Sequence, residues 1–255
     1  MGVKELEFDS KVVLVTGGSR GLGKDIAISF ARRGAKVIIC GRKQENLDRA
    51  AGDFSKQGLN VVTINAHIAK PDQVSSMFAQ IDKQFGRLDV LVNNVGMNIL
   101  TASVADADVG LWDKIIEVNL KGTFLVSRSA VQLMRSSGGG KIVNISSIAA
   151  RRAAPGMGIY CIAKAGVEML TKVMAAELAK ENINVNAVAP CMVKTQFSQP
   201  FWGNEELANE IIKTIPKGRI GETRDVVGAV MFLASELAEF VTGEVVTVDG
   251  GAMAI

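Results

Sequence analysis

Short β-branched runs alternate along the chain with longer stretches whose apolar residues recur at helical spacing. The runs are Val12 to Val15, Val37 to Ile39, Val61 to Ile64, Val90 to Val92, Ile142 to Ile145, Ile183 to Val188 and Val245 to Val248. Continuous apolar runs of this length suit strands buried on both faces, and the helical stretches between them supply crossovers. The pattern predicts an α/β fold: a single doubly wound domain over 1–255, with a seven-stranded parallel sheet and helices on both faces. After the sixth strand, Met192 to Gly221 lacks strand signals and carries Pro200, Gly203, Pro216 and Gly218. An excursion over 192–221 is expected there, with a short helix near Glu205 to Lys213, in the position of a substrate lid.

Composition narrows the function classes. With 255 residues and 48% hydrophobic content, one domain can bury a sizeable core. The net charge of +3 is small, and the basic residues are interspersed with acids, so neither nucleic acid nor a membrane surface is the expected partner. Cys40, Cys161 and Cys191 are odd in number and widely spaced, which suits neither a disulfide framework nor a zinc site and points to a reducing, cytoplasmic setting. The stretch Met1 to Glu7 is too polar for a signal peptide, and Leu6 stands where a myristoylation signal needs Ser or Thr. No apolar run approaches membrane-spanning length, and Ala252 to Ile255 is neither a retention nor a peroxisomal address.

Candidate chemistry centres on the only tyrosine, Tyr160, four residues before Lys164 at the start of a helix that runs through Leu178. That spacing puts both side chains on one helix face. A free phenol titrates near about 10, and an adjacent ammonium favours the phenolate, so the pair is a candidate general acid/base. The first strand ends in Thr16-Gly17-Gly18-Ser19-Arg20-Gly21-Leu22-Gly23, before an amphipathic helix expected over about Lys24 to Arg33. Glycines allow close approach of a pyrophosphate, and the helix N-terminus supplies unpaired N–H groups. The second strand ends in Gly41-Arg42-Lys43, with no carboxylate for a ribose 2′-hydroxyl; Arg42 and Arg20 suit a 2′-phosphate instead, which favours NADP(H). The lone His67 has no paired ligand or nucleophile nearby and is expected as a hydrogen-bonded loop residue.

Together the glycine turn, Asn93-Asn94-Val95-Gly96, Asn119, Ser146-Ser147, Tyr160-x-x-x-Lys164 and Asp249-Gly250-Gly251 resemble the short-chain dehydrogenase/reductase family over nearly the whole chain. The resemblance implies a Rossmann-type sheet, hydride transfer between a nicotinamide and a carbonyl or alcohol, and a homotetramer. By position, Tyr160 would be the acid/base and Ser147 would hydrogen-bond the substrate oxygen. Lys164 would hold the nicotinamide ribose and lower the tyrosine's pKa, and Asn119 would bind a water that passes protons towards it. Cofactor contacts would come from Gly17, Ser19, Arg20, Gly21, Leu22, Gly23, Arg42, His67, Ile68, Asn94 and Gly96, with Tyr160, Lys164, Val193 and Thr195 at the nicotinamide. Three positions depart from the family pattern. Val95 replaces an alanine and adds bulk beneath the cofactor, Cys191 replaces a glycine, and His67 replaces the aspartate that meets the adenine.

Within the family the chain looks most like NADP(H)-dependent carbonyl and retinal reductases. The apolar lid residues Met192, Phe197, Phe201 and Trp202, with Met157 and Ser147, would line a substrate pocket for a lipophilic ketone or aldehyde. A 3-oxoacyl thioester reductase is the alternative, and a cofactor-binding sensor or scaffold without turnover is an alternative of another class. Arg151 and Arg152, between Ser147 and Tyr160, are expected as solvated loop charges; the opposing view makes them a clamp for a carboxylate or a phosphate-bearing carrier.

Overall fold

The computed structural model describes residues 6–254, so the N-terminal reading at Met1 to Glu5 and the C-terminal reading at Ile255 fall outside the described residues. The strands β1 (Val12–Thr16), β2 (Lys36–Gly41), β3 (Val62–Asn65), β4 (Val90–Asn93), β5 (Gly140–Ile145), β6 (Ile183–Pro190) and β7 (Val245–Val248) pair in the order β3-β2-β1-β4-β5-β6-β7. Every pairing is parallel. The helices are α1 (Gly21–Ala31), α2 (Gln44–Ser55), α3 (Pro71–Phe85), α4 (Val109–Ile116), α5 (Gly122–Ser136), α6 (Gly158–Leu178), α7 (Gln199–Trp202), α8 (Glu205–Lys213) and α9 (Thr223–Ala234).

Both sheet faces are dry, which is why the strands read as unbroken apolar runs. Successive residues of β1 go to opposite layers: Val13 and Val15 pack in one core with Ile26 and Phe30 of α1 and Val230 of α9. Leu14 packs in the other with Phe78 of α3, Leu125 of α5 and Leu178 of α6. None of the described helices is long and apolar enough to cross a membrane.

The strand order reverses between β1 and β4, and a crevice opens beyond their carboxyl ends. Thr16 and Asn94 stitch this edge together. The Thr16 hydroxyl accepts the Asn94 N–H at 3.0 Å, and the Asn94 side-chain amide donates to the Thr16 carbonyl at 3.0 Å. Helix α1 begins at Gly21, earlier than the expected Lys24, because the last glycines of the turn already form its first helical residues.

The excursion leaves the sheet after β6 and carries α7 and α8. Its two ends are pinned to each other: the Gly221 N–H donates to the Met192 carbonyl at 3.0 Å and the Lys194 N–H donates to the Gly221 carbonyl at 2.9 Å. A short parallel bridge between Val193 and Gly221 closes its base.

Candidate active site

A cavity of about 960 Å³ lies along the carboxyl ends of the strands, at the upper end of the range for ligand sites. At one end sits the glycine turn. Gly17 (φ +66°) and Gly21 (φ +52°) adopt left-handed backbone, and a Cβ on Gly23 would lie 2.3 Å from Asn94 Nδ2 and 2.5 Å from the Gly17 carbonyl oxygen. No larger residue fits at Gly23. Arg20 precedes α1 in extended conformation and provides no side-chain cap, so the helix's first N–H groups are left for an external acceptor. Arg20 and Arg42 line the wall here, joined by Lys43 and Asn46. These features fit a nicotinamide dinucleotide: backbone donors for a pyrophosphate, and cations for a further phosphate on the ribose.

His67 lines the same end. Its Nδ1 accepts the Ala69 N–H at 3.1 Å, so the neutral ring carries its proton on Nε2, and its own backbone N–H donates to Gln73 at 2.8 Å. Burial, then Arg42 and Lys70, hold its pKa below the usual histidine value, which keeps the ring neutral. Asn94 also lines the cavity, but its amide is engaged with the Thr16 and Gly17 carbonyls. Val95 packs under the turn, where a Cβ on Gly17 would be 3.1 Å from its Cγ2.

At the reacting end, β5 delivers Ser147 and α6 delivers Tyr160 and Lys164, and all three line the cavity. The Lys164 ammonium is 5.6 Å from the Tyr160 ring centroid and donates to the Ile145 carbonyl at 2.7 Å. Burial lowers its pKa to about 8. The expected lowering of the phenol by Lys164 is not what the geometry gives. Burial pushes Tyr160 up to about 12, and the group that acts in the opposite sense is Ser147. The reason is placement: the ammonium lies over the ring and is turned towards a backbone carbonyl instead of the phenol oxygen. Ser147 Oγ accepts the Ala149 N–H at 3.2 Å, which fixes the short 3₁₀ turn Ile148–Ala150.

Asn119 sits in a π-helical turn, Glu117–Lys121, between α4 and α5 and is fully buried. Its Oδ1 accepts the Met97 N–H at 3.0 Å, and its Nδ2 donates to the Met97 and Ile115 carbonyls at 2.8 Å each. It does not line the cavity. Its side-chain amide thus holds the loop after β4, and its backbone carbonyl accepts the Thr123 hydroxyl at 2.8 Å. Asn119 and Lys164 flank Gly96: a Cβ there would be 3.4 Å from Asn119 Oδ1 and 3.7 Å from Lys164 Nζ.

The loop bearing Ser147 is held at both ends by one carboxylate. Glu168, one turn beyond Lys164, accepts the Ser146 hydroxyl at 3.1 Å on one oxygen and Arg151 Nε at 2.8 Å on the other. Arg151 also reaches the Thr247 hydroxyl at 3.2 Å and the Val245 carbonyl at 3.4 Å. Arg151 is exposed but paired and is not part of the cavity wall; Arg152 does line the wall.

From the lid, Met192, Val193, Thr195, Phe197 and Phe201 line the cavity, as do Met157 and Ile68 from elsewhere. Thr195 lies against the glycine turn, and Phe197 lies beside Tyr160 with ring centroids 6.4 Å apart. Trp202 does not reach the wall. Its indole N–H is spent inside the lid, on the Thr195 carbonyl at 3.0 Å and Ser198 Oγ at 3.1 Å. Cys191 lines the cavity with an ordinary backbone, and burial pushes its thiol up to about 11. Wall residues that sequence reasoning missed include Asn46, Asn98, Ile215 and Ala252. Asn46 follows Arg42 and Lys43 into α2 and Asn98 lies in the loop after β4, whereas Ile215 and Ala252 reach the wall only because the lid and the C-terminal segment converge on it.

A doubly wound sheet with a glycine turn at the switch point, and a Ser, Tyr and Lys grouped at the far end of one cavity, defines a nicotinamide-dependent oxidoreductase. The chain belongs to the short-chain dehydrogenase/reductase family, and residues 17–253 match the family model described as enoyl-(acyl carrier protein) reductase. It is 38% identical to dehydrogenase/reductase SDR family member 4 of Homo sapiens over 242 residues, which is 95% of this chain and 87% of that protein. A gluconate 5-dehydrogenase from Burkholderia cenocepacia, solved with NADP and tartrate, superposes with a TM-score of 0.95 at 30% identity, covering 100% of both chains. Levodione reductase gives a TM-score of 0.93 at 31% identity, covering 98% of this chain and 100% of that one.

Proposed function

We propose that the protein is an NADP(H)-dependent carbonyl reductase that reversibly converts a lipophilic ketone or aldehyde to its alcohol. The observation that carries this reading is the cavity itself: Tyr160 and Ser147 face an apolar lid at one end, and Arg20, Arg42 and Lys43 stand without a carboxylate at the other. The NADP held by the related gluconate 5-dehydrogenase supports the same cofactor choice.

When bound, the nicotinamide supplies hydride to the carbonyl carbon. Tyr160, protonated at neutral pH like any phenol and with its pKa raised further by burial, donates its proton to the carbonyl oxygen as charge builds there. The Ser147 hydroxyl donates a hydrogen bond to that oxygen. Lys164, largely charged at neutral pH, holds the ribose hydroxyls. In alcohol oxidation Tyr160 accepts the proton. Asn119 and Glu168 act through others: the first sets the loop beside Lys164, and the second sets the spacing between Ser147 and α6.

The segment 192–221 serves as the lid over a small-molecule substrate. Assembly as a homotetramer in the cytoplasm belongs to the same reading. It is supported by exposed apolar residues on α5 and α6, namely Phe124, Ile162, Met169 and Val173, and by three free cysteines. Light scattering tests the assembly.

The deciding assay follows NADPH oxidation with bulky alicyclic and aromatic ketones, a sugar ketone and a 3-oxoacyl thioester. Turnover of the bulky ketones is the expected result. Preference for the thioester would make the protein an acyl reductase, and NADPH binding without any turnover would make it a sensor or scaffold.

A further inference from the structure

Arg151 and Arg152 are neighbours in sequence with different surroundings. Arg151 is held by Glu168, Thr247 and Val245. Arg152, exposed to solvent, lines the cavity together with Pro155, Met157 and Ala252, and its side-chain hydrogen bond among the described residues is a long 3.4 Å contact to the Ala252 carbonyl. No carboxylate among the described residues pairs with it. Among the described residues the wall carries cations and no Asp or Glu. Three of these cations stand by the glycine turn, and Lys164 is committed to the Ile145 carbonyl beside Tyr160. Arg152 alone is left without a role in cofactor binding or proton transfer.

We infer that Arg152 is a specificity-determining residue that binds a carboxylate at the far end of the substrate, so that the preferred substrates are oxo acids with an apolar body. The inference rests on the carbonyl-reductase reading above. A guanidinium presents a planar fork that matches a carboxylate, and one such fork suits a monoanion, where a phosphate-bearing carrier draws a cluster of cations. The apolar side chains of Met157, Met192, Phe197, Phe201 and Ile215 between the two polar ends suit a hydrocarbon or aromatic body. Ser147 and Arg152 stand on either side of the 3₁₀ turn Ile148–Ala150 and its C-terminal neighbour Arg151, and both line the cavity.

The test compares kcat/KM, with saturating NADPH, for a phenyl ketone bearing an alkanoic acid chain and for its methyl ester, in the unmutated protein, Arg152→Gln and Arg152→Lys. The acid is expected to be preferred over the ester by about 10- to 100-fold, as for a hydrogen bond to a charged group. The preference should collapse towards one in Arg152→Gln, remain partial in Arg152→Lys, and weaken with added salt in the unmutated protein. Equal use of acid and ester by the unmutated protein overturns the inference while leaving the carbonyl-reductase reading intact. A preference that persists in Arg152→Gln also overturns it, as does a coenzyme A thioester that outcompetes the free acid. Failure to reduce either ketone would instead count against the carbonyl-reductase reading itself.

Discussion

Arg151 and Glu168 form an ion pair at 2.8 Å that joins the loop after Ser147 to the helix carrying Tyr160 and Lys164. Because the other Glu168 oxygen holds Ser146, a single carboxylate fixes both ends of that loop. Its loss should therefore act on the reaction as well as on stability. Glu168→Gln is expected to lower kcat by about tenfold with a smaller change in KM, and to cost roughly 1–3 kcal/mol of stability, less than a fully buried pair because Arg151 is 38% exposed. Steady-state kinetics and thermal unfolding of Glu168→Gln and Glu168→Asp check this. An unchanged kcat beside a lowered melting temperature would reduce the clamp to a structural contact.

Tyr160 is the only tyrosine, so ultraviolet titration of the protein reports one phenol. Without cofactor it should ionise well above the ordinary value of 10, towards about 12, because burial disfavours the phenolate. Ser147→Ala should move it higher still, since Ser147 acts to lower it. Tyr160→Phe should abolish turnover while NADPH still binds. Ionisation at or below 10 in the cofactor-free protein would contradict the burial account.

Lys164 is a buried cation whose pKa falls from 10.5 to about 8. Between those values the unfolded chain binds a proton that the native state has released, so this group makes stability rise with pH across that window. Below about 8 the native state carries the full penalty of the buried charge. Lys164→Met should be inactive yet more stable at neutral pH by about 1–3 kcal/mol, with the gain shrinking as pH rises through 8 towards 10.5. Chemical denaturation of both proteins at a series of pH values measures the difference, in which the other titrating groups cancel.

Arg42 stands at the end of β2 in a wall without carboxylates among the described residues. Arg42→Ala should weaken NADPH by about 2–4 kcal/mol and barely change NADH, as for loss of one partner of a charged contact. Fluorescence titration with each cofactor checks the discrimination. Equal losses for both would place Arg42 on a part that the two cofactors share. Gly23→Ala, whose Cβ would meet a backbone carbonyl at 2.5 Å, should weaken both.

Much of this molecule was written locally. The apolar runs are the strands because a sheet buried on both faces needs no polar alternation, and the glycine turn follows β1 because left-handed backbone at Gly17 and Gly21 demands glycine there. Tyr160 and Lys164 share a helix face through their spacing alone, and α8 matches its expected bounds. Other properties depend on partners distant in sequence. Whether Arg151 or Arg152 faces the cavity is decided by Glu168, 17 residues away, and Thr247, 96 residues away. Trp202 points into the lid because Thr195 and Ser198 accept its N–H, and Asn119 is taken up by Met97 across the loop. The phenol of Tyr160 lies above its ordinary value because desolvation outweighs a cation directed elsewhere. Spacing along a chain determines which face a side chain leaves from; burial and the direction of each hydrogen bond exist only once distant segments have packed.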